Sequence, residues 1–131
     1  MKKLIMAMMV ATAVAGLNGC SSDPKTPEEA AQQFFEAMKA SDMTALQKYV
    51  CAEALKNNKA YAEIQEGIKS GAIAKEVASA KEPITCVLTR KEDLKDKVLL
   101  KGKICVGGEE MKTCEFGYEL QNGKWMLIYL K

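Results

Sequence analysis

Residues 98–130, VLLKGKICVGGEEMKTCEFGYELQNGKWMLIYL, hold three β-branched or aromatic runs separated by two turn signals, Gly107-Gly108 and Asn122-Gly123. Such runs between glycine turns read as strands, and Asn-Gly is a strong short-range hairpin signal because both turn positions require positive φ. The spacing predicts strands over Val98 to Val106, Met111 to Leu120 and Lys124 to Leu130. Ile84 to Arg90 adds a strand upstream, joined by a charged loop from Lys91 to Lys97. Consecutive strands linked by short turns make an antiparallel meander.

Upstream of the meander the apolar period changes from two to about 3.6. Thr26-Pro27-Glu28-Glu29 opens a helix over 27–40: Thr26 caps, Pro27 fits the first helical position, and Glu29 completes a capping box at the positive end of the dipole. Ala31, Phe34, Phe35 and Met38 form its apolar stripe. Ser41-Asp42 caps a second helix through Met43, Leu46, Tyr49 and Val50, extending to Leu55, and Asn57-Asn58 breaks it. Tyr61, Ile64 and Ile68 mark a third helix, closed between Gly67 and Gly71; Ile73 to Ala80 fits either helix or strand. Helices first and a meander second give an α+β plan: N-terminal helices packed on an antiparallel sheet of four to five strands.

The N-terminus reads as an address. Lys2 and Lys3 precede an apolar run from Leu4 to Ala15, which is too short to span a bilayer, and Leu17-Asn18-Gly19-Cys20 follows. This arrangement resembles bacterial lipoprotein precursors, whose signal ends in a lipobox with a branched aliphatic residue first and cysteine last. Leu17, Gly19 and Cys20 match, while Asn18 stands where a small or hydroxylated residue is usual. The resemblance implies cleavage before Cys20, a diacylglyceryl thioether on its sulfur and N-acylation. It also implies a cell-envelope location, at the outer membrane facing the periplasm in a host with two membranes, because Ser21 rather than aspartate follows the cysteine. The expected divisions are a signal peptide over 1–19, a lipidated tether over 20–25 and one α+β domain over 26–131.

Lys2 and Lys3 account for the whole excess of 19 basic over 17 acidic residues, so the chain after cleavage is formally neutral. That argues against a nucleic-acid partner, which requires clustered positive charge. Four further cysteines, Cys51, Cys86, Cys105 and Cys114, make an even set suited to two disulfides in an exported domain. Three pairings are open; the preferred one joins Cys51 to Cys86 and Cys105 to Cys114, the second needing a bulge because alternation puts Cys105 on a polar face and Cys114 with Phe116 and Tyr118. With no histidine and no Cys-x-x-Cys pair, neither a metal site nor a cofactor is expected.

Pro27-Glu28-Glu29 opening a helix with Phe34-Phe35, the Ser41-Asp42 break, and Asn122-Gly123-Lys124-Trp125 leading into the last strand resemble small bacterial lipoproteins of the nuclear transport factor 2-like clan. The resemblance implies a curved sheet wrapped round the helices, with a cone-shaped cavity. Ketosteroid-isomerase-like members use acids and tyrosines in that cavity. On that pattern Asp42 or Glu66 would be the base and Tyr49, Tyr61 or Tyr118 the donor, each residue having a simpler structural role as cap, solvated charge or core aromatic. Phe34, Phe35, Met38, Tyr118 and Trp125 could instead line an apolar pocket or be plain core. The chain has no nucleophile elbow and no phosphate-binding loop, and Glu109-Glu110 reads as solvated. The expected role is a non-catalytic binding or interaction module held at the membrane by lipid, its partner a small apolar ligand or an envelope protein. The alternative is an isomerase-like or hydrolytic enzyme.

Overall fold

The Thr26 hydroxyl accepts the Glu29 N–H at 3.1 Å, and Pro27 supplies helical φ where no N–H donor is needed. The computed structural model describes residues 23–131, and α1 in it runs Pro27–Lys39. The expected signal peptide, lipobox and Cys20 lie outside the described residues. The Glu29 carboxylate accepts from the Lys25 N–H at 2.8 Å, one residue earlier than a capping box requires. The inner face of α1 buries Phe34 and Phe35 among Ala30, Ala31 and Ala37, whose small side chains let the helix lie close to its neighbours.

The segment expected as one helix to Leu55 is two, α2 at Met43–Gln47 and α3 at Ala52–Leu55. Tertiary pairing divides it. The Leu127 N–H donates to Tyr49 O at 2.8 Å and the Cys51 N–H donates to Leu127 O at 2.9 Å, so the intervening backbone serves the last strand instead of a helix. Helix α4, Lys59–Ser70, is capped by Asn58 and ends at Gly71, whose φ of 84° is left-handed. The ambiguous stretch is α5, Ala72–Ser79. Ile73 packs so closely on Gly67 that a Cβ there would stand 2.9 Å from it, which ties α5 to α4.

Four strands follow: β1 Ile84–Leu94, β2 Lys97–Val106, β3 Glu109–Gln121 and β4 Lys124–Leu130, antiparallel in the order β1-β2-β3-β4. The region expected as a loop from Lys91 to Lys97 is strand except for a turn at Lys95-Asp96, with Lys95 at φ 60°. Its charges are tolerated because β1 is an edge, where Arg90 pairs with Glu92 at 3.3 Å and Lys91 with Glu28 of α1 at 3.2 Å. The register shifts once in each ladder, between Leu88 and Arg90, between Ile104 and Cys105, and between Gly117 and Tyr118. Such bulges bend and twist strands, and they curve the sheet round α1.

The concave side of the sheet and the helices share one core. Phe35, Leu46, Leu100, Tyr118 and Leu127 are at most 1% exposed. Phe116 meets Phe34 edge-on at 6.1 Å between ring centres and lies nearly parallel to Tyr118 at 6.5 Å. No polar or charged residue among those described is buried.

Candidate functional site

The space between α1 and the concave face of the sheet is taken up by the side chains of one buried cluster. Of the five residues expected to line a pocket, Phe34, Phe35 and Tyr118 are buried core, while Met38 and Trp125 are half-buried and pack against that core. They come together, and in doing so they fill the space between them. The two best-defined hollows are open and peripheral. One, of about 280 Å³, is lined by Glu28, Leu88, Thr89, Arg90, Lys91 and Leu100. The other, of about 390 Å³, lies where α4 meets the end of β4, beside Lys59, Glu63 and Tyr129.

The acid and donor candidates are dispersed. Asp42 is exposed and its carboxylate accepts the Ala45 N–H at 3.1 Å as the cap of α2. Glu66 is exposed on α4. Tyr49 is half-buried and donates its hydroxyl hydrogen to the carboxylate of Asp23, in the segment before α1. Burial first, and Asp23 second, push the Tyr49 hydroxyl up to about 12. Burial also raises Tyr61 above the ordinary phenol value, and it raises Tyr118 more strongly, with Cys86 adding a smaller contribution. No acidic residue among those described is buried with Tyr118.

No bond joins any two of the four described cysteines. The preferred pairing of Cys51 with Cys86 and Cys105 with Cys114 does not match their placement. Cys51 sits beside Leu127 on β4, at one edge of the sheet, whereas Cys86 is on β1 at the other. Cys105 stands opposite Thr85 and Glu110, while Cys114 is opposite Gly102, so the bulge at Cys105 does not bring the two level. The sulfurs that meet are those of Cys86 and Cys114, 3.9 Å apart and both buried. Cys86 keeps its proton strongly, first through its hydrogen bond to Cys114 and then through burial; the same contact lowers Cys114. The sequence carries a signal for this contact in Gly102, since a glycine inside a strand marks a close approach.

Among the described residues no group of three or more histidine, cysteine or acidic side chains is placed to hold a metal ion, and no helix is long and apolar enough to cross a membrane.

No family model and no curated protein matches the chain. Solved structures do. A candidate NTF2-like transpeptidase from Campylobacter jejuni superposes with a TM-score of 0.56 at 16% identity, over 78% of this chain and 96% of that one. A chain named Rd1NTF2_05, bearing five substitutions, superposes with a TM-score of 0.54 at 15% identity, over 82% of this chain and 96% of the other. At such identities the likeness establishes the fold, an NTF2-like α+β domain whose helices precede a curved four-stranded antiparallel sheet.

Proposed function

We propose that this protein is a lipid-anchored component of a bacterial cell envelope whose NTF2-like domain binds a partner without catalysing a reaction. The observation that carries the non-catalytic reading is the filled cone. Phe34, Phe35, Leu100, Phe116, Tyr118 and Leu127 occupy the place where an NTF2-like enzyme would admit substrate, and the candidate bases Asp42 and Glu66 stand in solvent. General acid–base chemistry needs both groups within hydrogen-bond reach of one substrate, which this placement does not provide. The anchoring reading rests on Leu17-Asn18-Gly19-Cys20 behind a short apolar run. Two or more acyl chains at Cys20 hold a protein stably, at about 0.8 kcal/mol per buried methylene.

With the cone packed, an envelope protein is favoured over a small apolar ligand as partner, and contact falls to the surface. Leu120 is exposed and stands opposite the half-buried Trp125 at the Asn122-Gly123 hairpin, and tryptophan is enriched at interfaces.

Growth of the host with an alkyne-bearing fatty acid tests the anchor: label is expected on the wild-type chain and lost in Cys20→Ser, and label persisting in that variant overturns it. A thermal-shift screen with lipids, sterols and envelope fragments tests the domain. Small shifts for apolar ligands are expected, and Trp125→Ala is expected to lower recovery of a crosslinked envelope partner several-fold while the fold is kept. Turnover of any substrate abolished by Asp42→Asn or Glu66→Gln in folded protein would replace this reading with the enzymatic one.

A further inference from the structure

We propose that Cys86 and Cys114 form a disulfide that ties β1 to β3 across the intervening strand β2, leaving Cys51 and Cys105 as thiols. The two residues lie on strands that are not neighbours. Strands in a sheet are about 4.8 Å apart, so β1 and β3 would be roughly twice that apart in a flat sheet, whereas disulfide-linked Cα atoms are rarely more than about 6.8 Å apart. The register adds to the difference, since Cys86 stands opposite Ile104 and Cys114 opposite Gly102, two residues along β2, so a bond requires the sheet to bend further. The bulges between Leu88 and Arg90 and between Ile104 and Cys105 bend the sheet on either side of Gly102, and the sulfurs already stand 3.9 Å apart on its concave side.

Gly102 is what leaves them room. It pairs with Leu88 on one side and Cys114 on the other; a Cβ there would stand 3.5 Å from the Cys114 sulfur and 2.8 Å from the Val87 carbonyl oxygen. An alanine there would press on the Val87 carbonyl and so push β1 away from β2, while its contact with the Cys114 sulfur would be an ordinary one. Closing the remaining gap, from 3.9 Å to a bond of about 2.05 Å, deepens the bend of the sheet beneath α1. Helix α1 is tied to the same stretch of β1, since Gln32 Nε2 donates to the Cys86 carbonyl at 3.0 Å and Lys39 Nζ to the Ile84 carbonyl at 2.8 Å. The crosslink therefore fixes both the curve of the sheet and the seat of its principal helix.

The chemistry is thiol–disulfide exchange with an external disulfide, either glutathione disulfide or that of an envelope oxidoreductase. The Cys114 thiolate attacks the external disulfide, forms a mixed disulfide and expels one thiolate. Cys86, after losing its proton to solvent, attacks the Cys114 sulfur and expels the second. One S–S bond is exchanged for another. The oxidant leaves as two thiols that carry the electron pair, and the two protons come from Cys86 and Cys114. Both sulfurs are buried in the folded domain, so the exchange takes place during folding, before α1 closes over the sheet.

The pairing is independent of the envelope reading, which supplies only the oxidant. In the test, the full chain is refolded in a glutathione redox buffer, quenched in acid, alkylated in denaturant and digested without reduction. The expected result is one peptide joining Cys86 to Cys114, with Cys51 and Cys105 alkylated and one hydrogen lost from each bridged sulfur. The Cys51→Ser, Cys105→Ser double variant keeps the link and Cys86→Ser abolishes it. Alkylated Cys86 and Cys114, or a link from either to another cysteine, overturns the proposal. The same map from native membranes separates the two readings: a linked pair supports both, whereas a pair linked by glutathione but reduced in native protein upholds the pairing and counts against an oxidising envelope.

Discussion

At the scale of single residues, side chains that could look functional serve to join segments. Tyr49 lies on the connection between α2 and α3 yet bonds Asp23, 26 residues earlier, which fastens the segment before α1 to the rest of the domain. A phenol held at about 12 against an ordinary 10.0 favours the native state fully below pH 10, and that contribution disappears as pH rises from 10 to 12. The expected outcome is a late phenolate absorbance step that Tyr49→Phe removes, together with a loss of resistance to urea over the same interval that is smaller in Tyr49→Phe. Asn58 has a double role. Its side-chain oxygen accepts the Tyr61 N–H at 2.8 Å to cap α4, and its Nδ2 donates to the Leu130 carbonyl at 3.0 Å, which ties that helix to the end of β4. Asn58→Ala is expected to cost about 1–2 kcal/mol, the sum of a lost cap and an unpaired carbonyl, with Asn58→Asp in between because it keeps only the acceptor. Urea unfolding followed by Trp125 fluorescence measures both.

At the scale of elements, helix α1 is the organising piece, since its Phe34 and Phe35 are the largest side chains that the helices bury, save Tyr61, and Ala30, Ala31 and Ala37 lie beside them. Phe35→Ala is expected to cost about 3–5 kcal/mol, a large part of the roughly 5–15 kcal/mol typical of a domain, with unfolding near physiological temperature as the measured consequence. Between β3 and β4 the constraint is contact distance. A Cβ at Gly117 would stand 2.8 Å from the Cβ of Tyr129, so Gly117→Ala is expected to destabilise by about 1–3 kcal/mol and Tyr129→Ala to leave the clash in place. These elements differ in how legible they were. Helix α1 and strand β4 follow from caps, periodicity and the Asn-Gly turn, all local signals. The break between α2 and α3 does not, because a backbone pairing with Leu127 outweighs a continuous apolar pattern. The charged end of β1 reads as loop because its edge position, which makes its charges harmless, is a property of the assembled sheet. Phe34, Phe35 and Tyr118 were recognisable as apolar and inward, yet whether such residues surround a space or occupy it depends on how closely α1 approaches the sheet. The meeting of Cys86 with Cys114 was hidden for a related reason, since alternation describes adjacent strands and this contact skips one.

At the scale of the whole molecule, an NTF2-like cone can be kept hollow or packed, and this one is packed with aromatic and aliphatic side chains. A crosslink spanning 28 residues of sequence would stabilise such a domain by about 3–4 kcal/mol through the entropy it removes from the unfolded chain. Reduction of the linked protein is expected to lower its urea midpoint by a corresponding amount, and reduction of Cys86→Ser to leave the midpoint unchanged. The packed core also bears on mechanical response. Hydrostatic pressure unfolds proteins chiefly by flooding their internal voids, with volume changes of about −20 to −100 mL/mol that scale with the void space eliminated. With Leu100, Phe116, Tyr118 and Leu127 buried in one cluster with α1, this domain is expected to fall at the small end of that range. Trp125 emission under compression would show a shallower unfolding slope than that of an NTF2-like protein with an open cone, and Phe35→Ala, which digs a hole in the same core, would steepen it.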